Sequence, residues 1–141
     1  MTNKNAVLVD SSVWIHYFRR GGGRRAKEAL KEALTGGRVT TCWVVKAELL
    51  MGTRNEAGFR KLDDLLSALP DVPIDGSVWH KAARIGAKLR RRGVTMPLPD
   101  LLIAQAAMQA EIELWHTDSH FEEIGKITPL HTKNFAPSDS A

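Results

Sequence analysis

The sequence predicts a single α/β domain in which a central parallel β-sheet is flanked by α-helices, and three observations lead to this prediction. Residues 6–9 are all apolar, as in a strand that is covered on both faces. Segments of strand composition then alternate with amphipathic helical segments, which is typical of β-α-β units. The chain has 141 residues, enough for one domain with its own core, and contains no repeat or linker.

The first half of the chain is predicted to contain two strands and four helices. Gly36 and Gly37 close the second helix, Gly52 closes the third, and Pro70 stops the fourth. The triple glycine at 21–23 is predicted to be a flexible loop, because no Gly-Lys-Ser/Thr follows it as in a phosphate-binding loop. The predicted strands are 6–9 and 38–43, and the predicted helices are 13–18, 24–34, 44–51 and 54–69, the last with Phe59, Leu62, Leu65, Leu66 and Leu69 turned inward.

The second half is predicted to alternate in the same way. Ser77 is the expected cap of a long amphipathic helix, and residues 101–110 are apolar enough for a central packed helix. The predicted elements are a small strand at 72–74, helices at 78–92 and 101–110, a strand at 112–116, a helical turn at 121–124 and an edge strand at 127–130. Residues 1–5 are expected to form a loose arm and residues 136–141 a disordered tail, which places the folded domain within 1–135.

Charge and cysteine content limit the classes of function. The chain has 20 Lys and Arg against 16 Asp and Glu, a net charge of +4. A single cysteine, Cys42, excludes an internal disulfide, and the longest apolar run before Asp10 is too short for a signal peptide or a membrane span. The sequence therefore predicts a cytoplasmic protein without a membrane partner. Cys42 itself is predicted to be a buried small hydrophobic residue.

The basic residues form two clusters. Such clusters favour an anionic partner such as nucleic acid, although solvated helix faces and helix ends produce the same pattern. The candidates for RNA binding are Arg19, Arg20, Arg24, Arg25, Arg90, Arg91 and Arg92, with Lys27, Arg84 and Lys88 nearby. The four tryptophans could stack on bases, but each lies in an apolar segment, so we expect them in the core or against a partner: Trp14, Trp43, Trp79 and Trp115.

Four carboxylates stand where apolar segments meet turns or helices. Asp10 and Asp118 each follow an apolar strand, so both should emerge at the same edge of a parallel sheet. Asp100 precedes an apolar helix and could instead interact with its dipole, while Glu48 lies on a mostly apolar helix and could instead face solvent. If these four residues converge, they form a concentrated negative charge.

Such a charge needs cations. Two like charges about 4 Å apart repel by roughly 4 kcal/mol at an effective dielectric constant near 20. Oxygen ligands without a His or Cys cage suit Mg²⁺ or Mn²⁺ rather than Zn²⁺. We do not expect His116 and His120 to act as a metal-binding pair, because no helix connects them to give their spacing a meaning. An acidic quartet, a hydrated metal and a basic surface together indicate hydrolysis of phosphodiester bonds by a metal-activated water.

The sequence resembles PIN-domain ribonucleases and, among them, the VapC toxins of type II toxin–antitoxin systems. The resemblance extends from Val7 to about Leu130. Each motif is short and degenerate, but four in the right order are specific. They are residues 8–15 (LVDSSVWI), 45–52 (VKAELLMG), 99–104 (PDLLIA) and 114–121 (LWHTDSHF).

The resemblance implies a PIN-like parallel sheet, an acidic pocket that holds Mg²⁺ or Mn²⁺, and cleavage of RNA. It also implies a cognate VapB-type antitoxin that covers the pocket and a homodimer as the usual assembly. Position by position, Asp10, Glu48, Asp100 and Asp118 match the metal-binding carboxylates, and Ser11 matches a Ser/Thr position that supports the first Asp. His116 departs from the pattern, since relatives often carry a small hydroxyl residue there.

Two other functions remain open. A non-catalytic RNA- or protein-binding module would keep the fold without the chemistry, although the presence of all four acids argues against it. A phosphotransferase that uses Asp10 as a covalent nucleophile is weaker, because Ser12 stands where the Asp-x-Asp arrangement of haloacid-dehalogenase-type phosphatases has its second acid.

Overall fold

The computed structural model describes residues 5–136 and contains a four-stranded parallel sheet with helices around it. The strand order is β2-β1-β3-β4, so β1 and β3 are the central strands. This confirms the predicted α/β class. The elements are β1 (Val7–Val9), α1 (Ser11–Phe18), α2 (Arg24–Thr35), β2 (Val39–Thr40), α3 (Trp43–Met51), α4 (Glu56–Ser67), α5 (Gly76–Arg91), α6 (Leu98–Ala110), β3 (Glu113–His116), α7 (Ser119–Gly125) and β4 (Thr132–Asn134).

Strand β1 lies in the centre of the core because every one of its side chains is apolar. Val7, Leu8 and Val9 are all buried. Val9 pairs with Trp115 of β3, and the Asp10 N–H donates to the Trp115 carbonyl oxygen at 2.9 Å. The parallel register therefore brings the residues that follow β1 and β3 to one edge of the sheet, as predicted.

Helices α5 and α6 pack against each other, and α6 is buried over most of its length. Its residues 101–107 are all buried, which follows from its nearly continuous apolar sequence. Gly86 of α5 permits a close approach, since a Cβ atom there would lie 2.8 Å from Leu101 Cδ1. This packing fixes the first turn of α6, which carries Asp100.

Three predictions about packing and strands are wrong. Strand β2 ends at Thr40 rather than at residue 43, because α3 begins at Trp43. Trp14 and Trp115 are buried as expected, whereas Trp43 and Trp79 are 62% and 49% exposed, so for these two contact with a partner stays the prediction. In α4, Phe59 and Leu65 are partly exposed, so only part of the predicted apolar face turns inward. Residues 72–74 form no strand; pairing in this region is limited to an isolated bridge between Thr41 and Asp71.

Two further details differ from the predictions for local reasons. Helix α5 is capped by Asp75 rather than Ser77, because the Asp75 carboxylate accepts from the Val78 N–H at 3.1 Å. The edge strand lies at 132–134 rather than 127–130: Ile127 still donates to the Ile124 carbonyl at the end of α7, and Pro129 has no N–H to offer a sheet.

The chain termini fall partly outside the described residues. The predicted arm and disordered tail lie outside them at residues 1–4 and 137–141, and a domain boundary at 135 stays a prediction. Within residues 5–136, none of the helices combines the length and apolar character needed to cross a bilayer.

Candidate metal centre

The ends of secondary-structure elements position three of the four carboxylates. Asp10 follows β1 and caps the N-terminus of α1, and Asp118 follows β3 and caps α7. Asp100 lies in the first turn of α6, and Glu48 lies in the middle of α3. Helix capping, the structural alternative considered for such residues, is therefore also real for Asp10 and Asp118, and it holds these carboxylates at the sheet edge.

Asp10 is the most deeply placed of the four. It is 4% exposed, and its Oδ2 atom accepts from the Ser12 hydroxyl at 2.6 Å and from the Ser12 N–H at 3.1 Å. Burial raises the pKa of Asp10 even though these hydrogen bonds act in the opposite direction. The protein thus holds this carboxylate where its negative charge is poorly compensated.

Asp100 carries a charge that two neighbours disfavour. Its pKa is raised by burial and then by the charges of Asp10 and Asp118, and lowered by a hydrogen bond with His120. His120 Nδ1 lies 2.8 Å from Asp100 Oδ2 and 3.3 Å from Asp118 Oδ1. One ligand atom each from Asp100, Asp118 and His120 lie within 4.8 Å of one another.

Glu48 completes the cluster from the more exposed side. Its pKa is raised by burial and by the charges of Asp10 and Asp100, and its Oε1 atom accepts from the Ser11 hydroxyl at 3.3 Å. Every one of the four carboxylates is thus linked electrostatically to at least one other. A single site formed by all four carboxylates stays a prediction, because among the described residues the ligand atoms within 4.8 Å of one another belong to Asp100, Asp118 and His120.

The donor set fits a divalent cation. The cluster offers carboxylate oxygens and one imidazole nitrogen, and burial raises the pKa values of Asp10, Glu48 and Asp100. Hard divalent cations take such oxygen ligands. A cation bound here would favour the ionised carboxylates that burial disfavours, and it would offset the repulsion between carboxylates that adds to the shifts of Glu48 and Asp100.

Ser12 supports the first Asp in the way that the resemblance implied for Ser11. The Ser12 hydroxyl donates to Asp10 and accepts from the Thr117 N–H at 3.0 Å, so it joins the segments that follow β1 and β3. The Ser11 side chain instead contacts Glu48. Sequence patterns cannot distinguish between these two adjacent serines, because their roles depend on where α1 begins.

We expect Ser12→Ala to weaken both the fold and the metal site more than Ser11→Ala does. Loss of the Ser12 hydroxyl leaves the Thr117 N–H without its acceptor, which should cost about 1–3 kcal/mol of stability. Affinity for Mn²⁺ should fall by about 10–100-fold, as for other groups that orient a ligand. Urea denaturation and calorimetric Mn²⁺ titration of both variants measure these effects, and equal losses in the two variants would contradict the distinction.

His116, the departure from the family pattern, is a buried structural residue. Its pKa is lowered by burial, and its Nδ1 atom accepts from the Asp118 N–H at 3.1 Å. Nε2 lies 3.2 Å from Glu122 Oε1, but the two groups are not aligned for a hydrogen bond. The His116 ring packs on Phe121, and through its Nδ1 atom it fixes the backbone of Asp118.

The other candidates occupy different surroundings. Burial raises the pKa of Cys42 to about 11, which agrees with a buried hydrophobic role and not with a nucleophile. Arg24 pairs with Glu28 at 2.9 Å, and the Arg25 guanidinium lies 5.1 Å from the centre of the Phe135 ring. Arg19 and Arg20 are exposed beyond the end of α1.

The C-terminal part of α5 divides its arginines between two clefts. Arg91 and Arg92 line a groove of about 460 Å³ with Lys88, Lys126 and Ile127. Arg90 instead borders a smaller, mostly apolar cleft that Met96, Leu98 and Leu101 also line. The groove contains two lysines that the sequence prediction of RNA contacts did not include.

A parallel α/β sheet with clustered carboxylates at its carboxyl edge defines a protein of the class that binds divalent metals for phosphate chemistry. The family model described as PIN domain matches residues 7–127. The chain therefore belongs to the PIN domain family.

Individual relatives agree with this membership. The chain is 31% identical to VapC ribonuclease Mb1587 of Mycobacterium bovis over 133 residues, covering 92% of this chain and 98% of the relative. Its fold is similar to that in the crystal structure of VapBC2 from Rickettsia felis bound to a promoter DNA fragment, with a TM-score of 0.73, 20% identity and coverage of 92% and 98%. It is also similar to VapBC-5 from Mycobacterium tuberculosis, a member of the VapBC family of toxin-antitoxin systems, with a TM-score of 0.64, 21% identity and coverage of 92% and 98%. The resemblance to VapC ribonucleases is confirmed.

Proposed function

We propose that this chain is a metal-dependent endoribonuclease and the toxin of a toxin–antitoxin pair. The observation that carries the proposal is the cluster of electrostatically linked carboxylates at the edge of the sheet. The similarity to VapC ribonuclease Mb1587, which extends over 98% of that relative, supports it. We propose Asp10, Glu48, Asp100 and Asp118 as the metal ligands. Ser12, with Ser11 at Glu48, would hold the ligands in place.

In the proposed reaction, the side chains of the protein would bind the cation, hold its ligands in their orientation and balance its charge. When bound, a divalent cation would supply the charge that activates a water molecule and offsets the negative charge on the phosphate. Asp10 would remain ionised and fixed by its two hydrogen bonds from Ser12. The Asp118 backbone would be fixed by His116, so that its carboxylate keeps its place beside Asp100. We propose Mg²⁺ or Mn²⁺ as the ion, because oxygen donors predominate.

We propose that the groove formed by Lys88, Arg91, Arg92 and Lys126 holds phosphates of the RNA strand. These four basic side chains are exposed. Among them, only Lys126 forms an ion pair within residues 5–136, with Glu123 at 2.8 Å. Helix α7 connects the acidic cluster to the groove, since Asp118 caps its N-terminus and Lys126 follows its last residue. Contacts by Arg19, Arg20, Arg24, Arg25 and Arg90 stay predictions.

We expect the double variant Arg91→Gln/Arg92→Gln to bind RNA more weakly and with less dependence on salt. Each lost contact to a single-stranded phosphate should reduce the slope of log affinity against log salt concentration by about 0.7. Fluorescence anisotropy with a labelled RNA at several KCl concentrations measures the slope. Arg60→Gln/Lys61→Gln is the matched control, because it removes the same two charges from the exposed face of α4, where Arg60 pairs with Glu56 and no RNA contact is proposed. An equal change in the two double variants would refute the groove as an RNA contact.

The proposed partners are RNA, a cognate VapB-type antitoxin and a second copy of the chain, and we propose a cytoplasmic location. Half-exposed apolar side chains on α1, Ile15 and Phe18, leave a surface that a partner could cover. An antitoxin that presents a basic side chain to the acidic cluster would neutralise it and block RNA. VapBC-5 from Mycobacterium tuberculosis, whose fold is similar, is a member of the VapBC family of toxin-antitoxin systems.

RNA cleavage with and without metal tests the proposed function. We expect cleavage of total RNA in Mg²⁺ or Mn²⁺, none after addition of EDTA, recovery on resupply of the metal, and products with a 5′-phosphate and a 3′-hydroxyl. Sequencing of the cut ends would identify the RNA. Unchanged cleavage in EDTA would refute the metal mechanism, and RNA binding without cleavage at any metal concentration would favour the non-catalytic binding module.

A further inference from the structure

His120 stands at the acidic cluster in a position that its sequence context did not suggest. It belongs to the first turn of α7, and its backbone N–H donates to Asp118 Oδ1 at 3.0 Å. Its Nδ1 atom lies 2.8 Å from Asp100 Oδ2 and 3.3 Å from Asp118 Oδ1. His116, four residues earlier, is fully buried, so the two histidines serve different purposes and do not form a pair.

The distances around His120 match those between neighbouring ligands of one cation. Ligands bound at 2.0–2.1 Å at right angles, as in octahedral coordination, are about 2.9 Å apart, and opposed ligands are about 4.2 Å apart. The two His120 contacts, at 2.8 and 3.3 Å, are close to the first value. All three donor atoms lie within 4.8 Å of one another, which is consistent with one shared ion.

The imidazole is free to act as a ligand. Its Nδ1 atom faces two carboxylate oxygens, and a neutral imidazole that binds a cation through Nδ1 keeps its N–H on Nε2. The His120 side chain is 42% exposed, so water is available to Nε2.

We propose that His120 is a direct nitrogen ligand of the divalent cation, together with Asp100 and Asp118, and that it makes the site favour Mn²⁺ over Mg²⁺. The proposal rests on the proposed function of the carboxylate cluster. Mg²⁺ binds through oxygen ligands and water, whereas an imidazole nitrogen suits transition-metal ions better. Ion preference in this chain would then depend on a residue outside the acidic quartet.

Electron paramagnetic resonance of bound Mn²⁺ tests the ligand directly. Echo-modulation spectra of the wild-type protein should show coupling to a directly bound ¹⁴N nucleus, and this signal should change to that of ¹⁵N when the histidines are ¹⁵N-labelled. The coupling should vanish in His120→Ala and persist in His131→Ala. His131 is an exposed histidine that pairs with Glu113 and provides the matched control.

Binding measurements supply the second readout. His120→Ala should lower Mn²⁺ affinity at least about tenfold, since even groups that only orient a ligand contribute that much. Mg²⁺ affinity, measured by competition with Mn²⁺, should fall less. Bound Mn²⁺ without nitrogen coupling in the wild-type protein would overturn the proposal while leaving the ribonuclease function intact. Nitrogen-coupled Mn²⁺ in a protein that cleaves no RNA would support the ligand and refute the function.

Discussion

Asp10→Asn should reduce RNA cleavage about 1000-fold or more at saturating metal. A cation on a phosphoryl oxygen contributes several kcal/mol to the transition state, and each 1.36 kcal/mol corresponds to a factor of ten. Asn has nearly the same shape and can still accept the Ser12 hydrogen bonds, but it lacks the charge that holds the ion. Single-turnover cleavage of a defined RNA by the two proteins measures the effect.

Asp75→Asn is a matched control for this loss. Asp75 also caps a helix through its side chain, accepting from the Val78 N–H, but it is exposed at the N-terminus of α5. Removing one negative charge there should leave cleavage within a few-fold of wild type. Full activity of Asp10→Asn, or equal losses in both variants, would contradict the role of Asp10 as a metal ligand.

The same Asp10→Asn substitution should stabilise the metal-free protein at neutral pH. The folded-state pKa of Asp10 is raised by burial, so the folded protein binds the proton more tightly than the unfolded chain does. The destabilisation by the ionised carboxylate is therefore complete above the raised pKa. It decreases as the pH falls through that pKa and is gone below the ordinary value of 3.8.

Urea denaturation in EDTA measures this gain. The difference in unfolding free energy between Asp10→Asn and wild type should be largest near neutral pH and should shrink toward about pH 4, the usual range of an unfolded Asp. Asp75→Asn should show no such difference, because Asn and Asp are nearly equivalent at an exposed cap. A variant less stable than wild type at neutral pH would show that the Ser12 hydrogen bonds outweigh burial.

Bound metal should make the wild-type protein more stable than Asp10→Asn, which reverses the order expected without metal. At a free Mn²⁺ concentration of 100 times the Kd, the wild-type protein gains about 2.7 kcal/mol, and Asp10→Asn gains less because it binds the ion weakly. Removing the metal from the wild-type protein should therefore cost both activity and stability. These results together would identify the cluster as a functional site that the fold maintains at the expense of stability.

Sequence patterns were sufficient for the features that depend on local order and burial. The apolar run of β1 predicted the central strand, and the parallel register then placed Asp10 and Asp118 at one edge. The helices near 24–34 and 101–110 were predicted within a few residues. These features follow from periodicity and from the alternation of strands and helices, which neighbouring residues determine.

Features that depend on distant packing could not be predicted. The edge strand lies at 132–134 and not at the predicted 127–130, because pairing with β3 begins only after Pro129. The exposure of Trp43 follows from the start of α3 at this residue, which was predicted to be the last residue of the preceding strand. His120 reaches Asp100 because α7 packs against α6, and spacing along the sequence carries no record of that contact.

Anomalous diffraction from crystals grown with Mn²⁺ tests the metal centre most directly. We predict an anomalous peak bonded to oxygen atoms of Asp10, Asp100 and Asp118 and to Nδ1 of His120, with Glu48 bonded directly or through water. We expect no comparable peak elsewhere on residues 5–136. Mn²⁺ bound away from this cluster would contradict the assignment of the metal centre. So would the absence of bound Mn²⁺ from a protein that cleaves RNA under the same conditions.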